Sequence, residues 1–284
     1  MASFVHEKLS PEEYMQRRSF LGALTAASLA AALENSLSAK TPASKAALPE
    51  QKSEFPPDAT VVLVHAAWAD GYCWSNIVVP LERHGLKVIC APIPLTSLTN
   101  DATALGYSLE RTTGPIILVG HAYSGAVIAA AREDRVKALV YLSALAPDEG
   151  ETVAKVFYRD TPSPQQPKLA PDSHGLIWMS EEGARNALAQ NASADQKAIG
   201  YAVQRPISVQ CIQEPAPAPL WKSKPAWYLV AEQDRMINPV TQRFMAERMK
   251  ATIHSHPVDH TCMYSAPKVA IDIILEAARK TLKQ

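Results

Sequence analysis

Hydrophobic positions along the chain fall into short, nearly continuous runs separated by longer amphipathic stretches. The runs are TVVLVHAAW from Thr60, LKVICAPIP from Leu86, GPIILVGHAYSG from Gly114, VKALVYLSALAP from Val136 and PAWYLVAEQD from Pro225. KATIHSHPVD, from Lys250, is a weaker sixth. At the heart of each is a short, nearly continuous apolar stretch, β-branched in the first of them, that reads as a buried strand. Residues at helical spacing lie between them, over Asn100–Arg111, Gly125–Arg132 and Pro239–Lys250. Gly85 follows another helix-like stretch and reads as its C-cap. Strands that are apolar throughout and alternate with helices predict an α/β fold, with a mostly parallel sheet covered on both faces.

Two segments break this rhythm. Residues 151–219 are long, proline-rich and partly helical in pattern, as in SEEGARNALAQ and ADQKAIGYAV. A helical cap inserted over the carboxyl ends of the strands is the expectation, because ligands of open α/β sheets bind there. Leu176, Trp178 and Tyr201 are candidate pocket residues within it. At the other end, Arg17 and Arg18 precede a weakly apolar, alanine-rich run from Phe20 to about Leu33, with small residues at 36–39. These are the marks of an export signal, and the paired arginines resemble the twin-arginine type, which implies a bacterial periplasmic destination. An ordinary amphipathic helix is the alternative. The expected organisation is a signal over 1–39, a linker over 40–58 and a folded domain over 59–284.

Composition narrows the partners. The 284 residues contain 28 Lys plus Arg and 28 Asp plus Glu, so charge gives no reason to expect nucleic acid or an anionic membrane. No run reaches the ~18 apolar residues of a membrane span, so no membrane partner is expected once a signal is removed. Cys73, Cys90, Cys211 and Cys262 are scattered without metal-ligand spacing. No metal or organic cofactor is implied, and the expected partner is a small molecule.

The segment IILVGHAYSGAVIAA carries the most chemistry. A buried strand runs into a turn flanked by Gly120 and Gly125, and a helix begins near Tyr123. In a G-x-S-x-G elbow this geometry lifts the central side chain above the sheet, beside the positive end of the helix. Here the central residue is Ala122, and Ser124 follows two positions later.

Four pieces together resemble the α/β-hydrolase superfamily, in the branch of plant methylesterases, hydroxynitrile lyases and small bacterial hydrolases. They are VVLVHAAWADGYCW, VGHAYSGAVI, WYLVAEQDRMINPVTQRFMAERM and VDHTCMYSAPKVAIDII, which resemble in order the oxyanion segment, the elbow, the acid segment and the histidine segment. The resemblance runs from about Thr60 to the C-terminus. It implies Asp234 as the acid, His260 as the base, and the amides of Ala67 and Tyr123 as oxyanion donors, with Trp68 beside the substrate. Asp148 is the competing acid, His256 the competing base, and Ser124 or Cys73 a displaced nucleophile. His65 and His121 read as structural.

Two positions depart from that pattern. Ala66 stands where glycine is usual, and Ala122 stands where the nucleophilic serine is usual, so acyl transfer through position 122 cannot occur. Three accounts of Ala122 stay open: a serine hydrolase with its nucleophile replaced, an enzyme using His260 and Asp234 as a general base, or a protein that binds a small molecule. The resemblance implies a small, largely apolar ester, lactone or related carbonyl compound as ligand.

Overall fold

The computed structural model describes residues 54–282. Its eight strands are β1 (Thr60–Val64), β2 (Lys87–Ala91), β3 (Ile116–His121), β4 (Val136–Leu142), β5 (Leu176–Ile177), β6 (Ile207–Ser208), β7 (Ala226–Ala231) and β8 (Thr252–His256). Six of them form one sheet in the order β2-β1-β3-β4-β7-β8, with every neighbouring pair parallel. The six apolar runs read from the sequence are these six strands. The inner strands β1, β3 and β7 are buried at every residue, whereas the edge strands β2 and β8 are partly exposed. That explains why β8 gave the weakest pattern.

Alternation along each strand divides the core in two. Val62, Val64, Leu118, Tyr141 and Tyr228 face one layer, packed under α2 (Leu98–Leu109), α3 (Ser124–Ala129) and α7 (Pro239–Arg248). Val61, Leu63, Val119, Val140 and Leu229 face the other, under α1 (Ser75–Arg83) and α8 (Pro267–Leu282). On α8 the buried residues Ala270, Ile273, Ile274, Ala277 and Ala278 recur at i, i+3, i+4, i+7 and i+8. This is the stripe a surface helix needs to cover a sheet.

The excursion between β4 and β7 has a closed neck. Gly150 N donates to Ala216 O at 2.9 Å and Ala216 N to Glu151 O at 2.8 Å. Within the excursion lie α4 (Val153–Phe157), α5 (Ala194–Ala202) and α6 (Val209–Gln213). The ribbon of β5 paired antiparallel with β6 was not foreseen. Strands of two residues are too short to leave a periodic pattern.

The N-terminal boundary needs one correction. Phe55 is buried in the α1/α8 layer and Glu54 pairs with Arg279 at 2.9 Å, so the ordered domain includes residues assigned to the linker. Proline and aspartate at 56–58 hid a single anchoring aromatic. The signal expected at 1–39 and the linker up to residue 53 lie outside the described residues.

Candidate active site

The site begins at the turn between β3 and α3. Ala122 has φ +49°, a left-handed conformation that costs an L-residue roughly 1–2 kcal/mol. The turn is held by Ala122 O, which accepts from Gly125 N at 3.1 Å and Leu145 N at 2.9 Å. A Cβ on Gly120 would lie 2.8 Å from Ser124 O, and one on Gly125 only 2.4 Å from Leu145 O. Only glycine fits on either side, because the chain folds back against itself and against the end of β4. The constraint leaves the Ala122 methyl bordering a cavity of about 300 Å³.

His260 borders the same cavity from the loop after β8. Its Nδ1 donates to Asp234 Oδ2 at 2.7 Å, and both side chains are almost fully buried. Asp234 follows β7 and is fixed from three directions. Its Oδ1 accepts from Met236 N at 2.7 Å and Ile237 N at 2.9 Å, and its Oδ2 accepts from Gln242 Nε2 at 2.7 Å. Gln242, on α7, also donates to Ile237 O and accepts from Ala231 N. With Nδ1 committed to the carboxylate, the imidazole presents Nε2 as its remaining functional atom.

The competing residues are placed elsewhere. Asp148 pairs with Lys222 at 2.5 Å. His256 lies on edge strand β8, stacked with His254. Ser124 is fully buried; its Oγ lies 2.7 Å from Val64 O and 2.9 Å from His121 O and accepts from His121 N. That hydroxyl anchors the turn. Cys73 is buried, and burial pushes its thiol well above the usual value, which removes any thiolate character.

His121 Nε2 donates to His260 O at 2.8 Å and therefore carries the ring proton. Burial, reinforced by the neighbouring His260, holds His121 well below the usual histidine value, so it stays neutral. His65 is likewise depressed by burial; its Nδ1 donates to Ala66 O at 3.0 Å and its Nε2 accepts from Ile93 N at 3.4 Å. Both histidines hold backbone.

Ala67, Trp68 and Tyr123 line the cavity beside Ala122 and His260. The Tyr123 hydroxyl donates to Asp101 Oδ2 at 2.7 Å, and Leu95 N donates to Asp101 Oδ1 at 2.7 Å. Burial raises the Asp101 pKa against these bonds. The roof comes from the excursion, through Val153, Phe157, Leu169, Ile177, Ile207 and Ile212.

Three expected pocket residues, Leu176, Trp178 and Tyr201, do not line the cavity. Trp178 is 50% exposed and donates from its indole nitrogen to Asp172, and Leu176 also points elsewhere. Side chains alternate along a strand, so Ile177 points inward and its two neighbours point out. Tyr201 borders a separate small cavity. Sequence reasoning also missed Gln242 and Asp101. Gln242 left no local signal. Asp101 did leave one, since it shares the buried stripe of α2 with Leu98, Leu105 and Leu109. A carboxylate on such a stripe needs bonded partners. Among the described residues, no group of three or more His, Cys, Asp or Glu could hold a metal ion.

A sequence model described as the alpha/beta hydrolase family matches residues 61–273. The chain is 24% identical to Methylesterase 2 of Arabidopsis thaliana over 250 residues, covering 76% of this chain and 95% of that protein. A pyrethroid hydrolase from Sphingobium faniae JZ-2 superposes with a TM-score of 0.68 at 21% identity, over 78% of this chain and 97% of that one. Polyneuridine aldehyde esterase superposes with a TM-score of 0.67 at 17% identity, over 77% and 98%. At such identities the two superpositions speak to the fold alone.

Proposed function

The chain belongs to the alpha/beta hydrolase family, and on that premise we propose that it is a hydrolase-type protein for a small, largely apolar ester, lactone or related carbonyl compound, with Ala122 in the seat of the nucleophile. The observation that carries this reading is the His260–Asp234 bond at 2.7 Å, with the imidazole bordering an apolar cavity beside Ala122. A left-handed alanine between two irreplaceable glycines supports it. Such strain persists where the surroundings impose it, and functional sites are where it clusters.

The roles follow from the placement. Asp234 fixes the tautomer of His260 and would stabilise its charged form, and His260 acts as general base. The amides of Ala67 and Tyr123 face the oxygen that gains charge as a carbonyl is attacked. With a methyl group at 122, no acyl-enzyme forms there. The base instead takes a proton from water as the water oxygen bonds to the carbonyl carbon. It then returns that proton to the departing alkoxide, leaving an acid and an alcohol. The similarity in sequence to Methylesterase 2, an esterase by name, supports an ester as substrate.

Turnover of a chromogenic short-chain ester, measured for the chain beside Ala122→Ser, tests the proposal. Supplying the hydroxyl to a prepared base and oxyanion site is expected to raise turnover at least about 10²-fold. No gain across a broad ester panel would overturn the reading. Tight uptake of apolar carbonyl compounds without turnover by either form would point to a binding protein.

A further inference from the structure

The ribbon of the cap is bonded to the loop that carries Ala67. Trp68 N donates to Arg205 O at 3.0 Å, and Trp68 Nε1 donates to Ile177 O at 2.9 Å. On its other side the same ribbon grips the loop after β2: Arg205 Nη1 donates to Ile93 O at 2.9 Å, and Ser208 N donates to Leu95 O at 3.0 Å. Ile93 N leads on to His65, and His65 holds Ala66 O. A continuous set of bonds therefore runs from Arg205 to both ends of the Ala66–Trp68 segment.

Two physical points give this arrangement a consequence. Trp68 has φ +57°, a strained value for a tryptophan, so the segment would relax if its restraints were removed. Moreover, the C=O of Ala66 and the N–H of Ala67 belong to one planar trans peptide and point in opposite directions. Whatever holds Ala66 O therefore aims the Ala67 amide. The hold depends on a neutral His65 that donates from one ring nitrogen and accepts at the other. Burial and the nearby Arg205 charge both disfavour a second proton there.

We propose that Arg205 is a positioning residue, and that through it the cap ribbon sets the direction of the Ala67 amide, making the cap a fixed part of the carbonyl-polarising site. This rests on the reading above that the Ala67 amide meets the developing oxyanion. The cap thus acts twice, lining the cavity with Ile177 and Ile207 and bracing the loop opposite His260. Compounds that disturb the ribbon would lose rate as well as affinity.

The test uses Arg205→Met and Arg205→Lys, each combined with Ala122→Ser, in steady-state kinetics on a short-chain aryl ester. Misaiming an oxyanion donor acts on the transition state, so Arg205→Met is expected to lower kcat about tenfold or more while KM stays within about threefold. Lysine keeps a donor for Ile93 O and is expected to restore kcat to within about threefold of the arginine form. In the chain with Ala122 retained, Arg205→Met should also speed amide hydrogen exchange at Trp68 and Ile93, whose N–H groups donate to Arg205 O and His65 Nε2, relative to the amides of β3. Unchanged kcat, a change confined to KM, or no rescue by lysine would overturn the proposal, as would unaltered exchange. Should Ala122→Ser itself gain nothing, the hydrolase reading fails, and the exchange measurement still decides whether the brace exists. If Arg205→Met does not fold, Arg205→Gln, whose shorter side chain withdraws the donor from Ile93 O, carries the same expectations.

Discussion

On the floor of the cavity His260 meets the open space, and behind it His121, Asp234 and Gln242 join it in an unbroken set of hydrogen bonds; Ala122 sits beside it in a turn whose flanking glycines admit no larger residue. The roof, from Val153 to Ile212, meets the same space almost entirely with hydrocarbon. The two surfaces are stabilised by different physics. Hydrogen bonds are directional and fail when a partner moves. Apolar contact is non-directional and tolerates exchange at nearly constant volume. Changes on the floor should therefore alter rate, and changes on the roof should alter which compound is accepted.

The largest expected effect breaks the floor. In the Ala122→Ser background, His260→Gln is expected to abolish the whole gain of at least about 10²-fold, because the groups act as a unit. Ester turnover measured on the two forms checks this. Retained turnover would mean that another base serves the site.

The next effect concerns the pH dependence of stability. His65 and His121 are both buried and depressed, so the unfolded chain binds protons that the folded chain refuses. Their contribution is fully present above an unfolded value of about 6.5 and is lost as pH falls below it, at up to about 1.4 kcal/mol per pH unit for each histidine. Urea unfolding at pH 7, 6 and 5 reads this slope, and His121→Asn is expected to reduce it by about half. A flat profile, or an unchanged slope in the variant, would contradict neutral, buried histidines under the site.

The roof should respond more mildly. In the Ala122→Ser background, Leu169→Ala enlarges the cavity at a half-buried wall residue and is expected to shift kcat/KM toward longer acyl chains by about tenfold or less. The best substrate should keep its kcat. A fall in kcat for every ester would show that the roof shares in the chemistry at this point. Trp178→Ala is the smallest change: turnover should stay within about twofold and stability within about 0.5 kcal/mol, as for an exposed side chain outside the cavity. A larger loss would return Trp178 to the pocket.

How much of this could be read from the chain divides along the same line. The sheet was legible because strands buried on both faces leave unbroken apolar runs. The elbow was legible because a close turn demands glycine at 120 and 125, and the positions of Asp234 and His260 followed from the order of four motifs. The roof was not. Its ribbon is two residues long on each side, so nothing in the local pattern tells Ile177 from Leu176 and Trp178. Gln242 is a polar residue inside a helix whose partner lies eight positions away, and only the fold shows why it is buried. Phe55 anchors the domain from within a stretch whose composition reads as linker.

The central claim is that Ala122 occupies the one position where a nucleophile would be activated by His260. A serine-reactive fluorophosphonate tests it most directly, read by intact-protein mass and peptide mapping. The Ala122→Ser form should take up one phosphonyl group at position 122 with loss of fluoride, and the chain with Ala122 should take up none. Labelling of the unaltered chain at Ser124, or a folded Ala122→Ser form that stays unlabelled, would contradict the account.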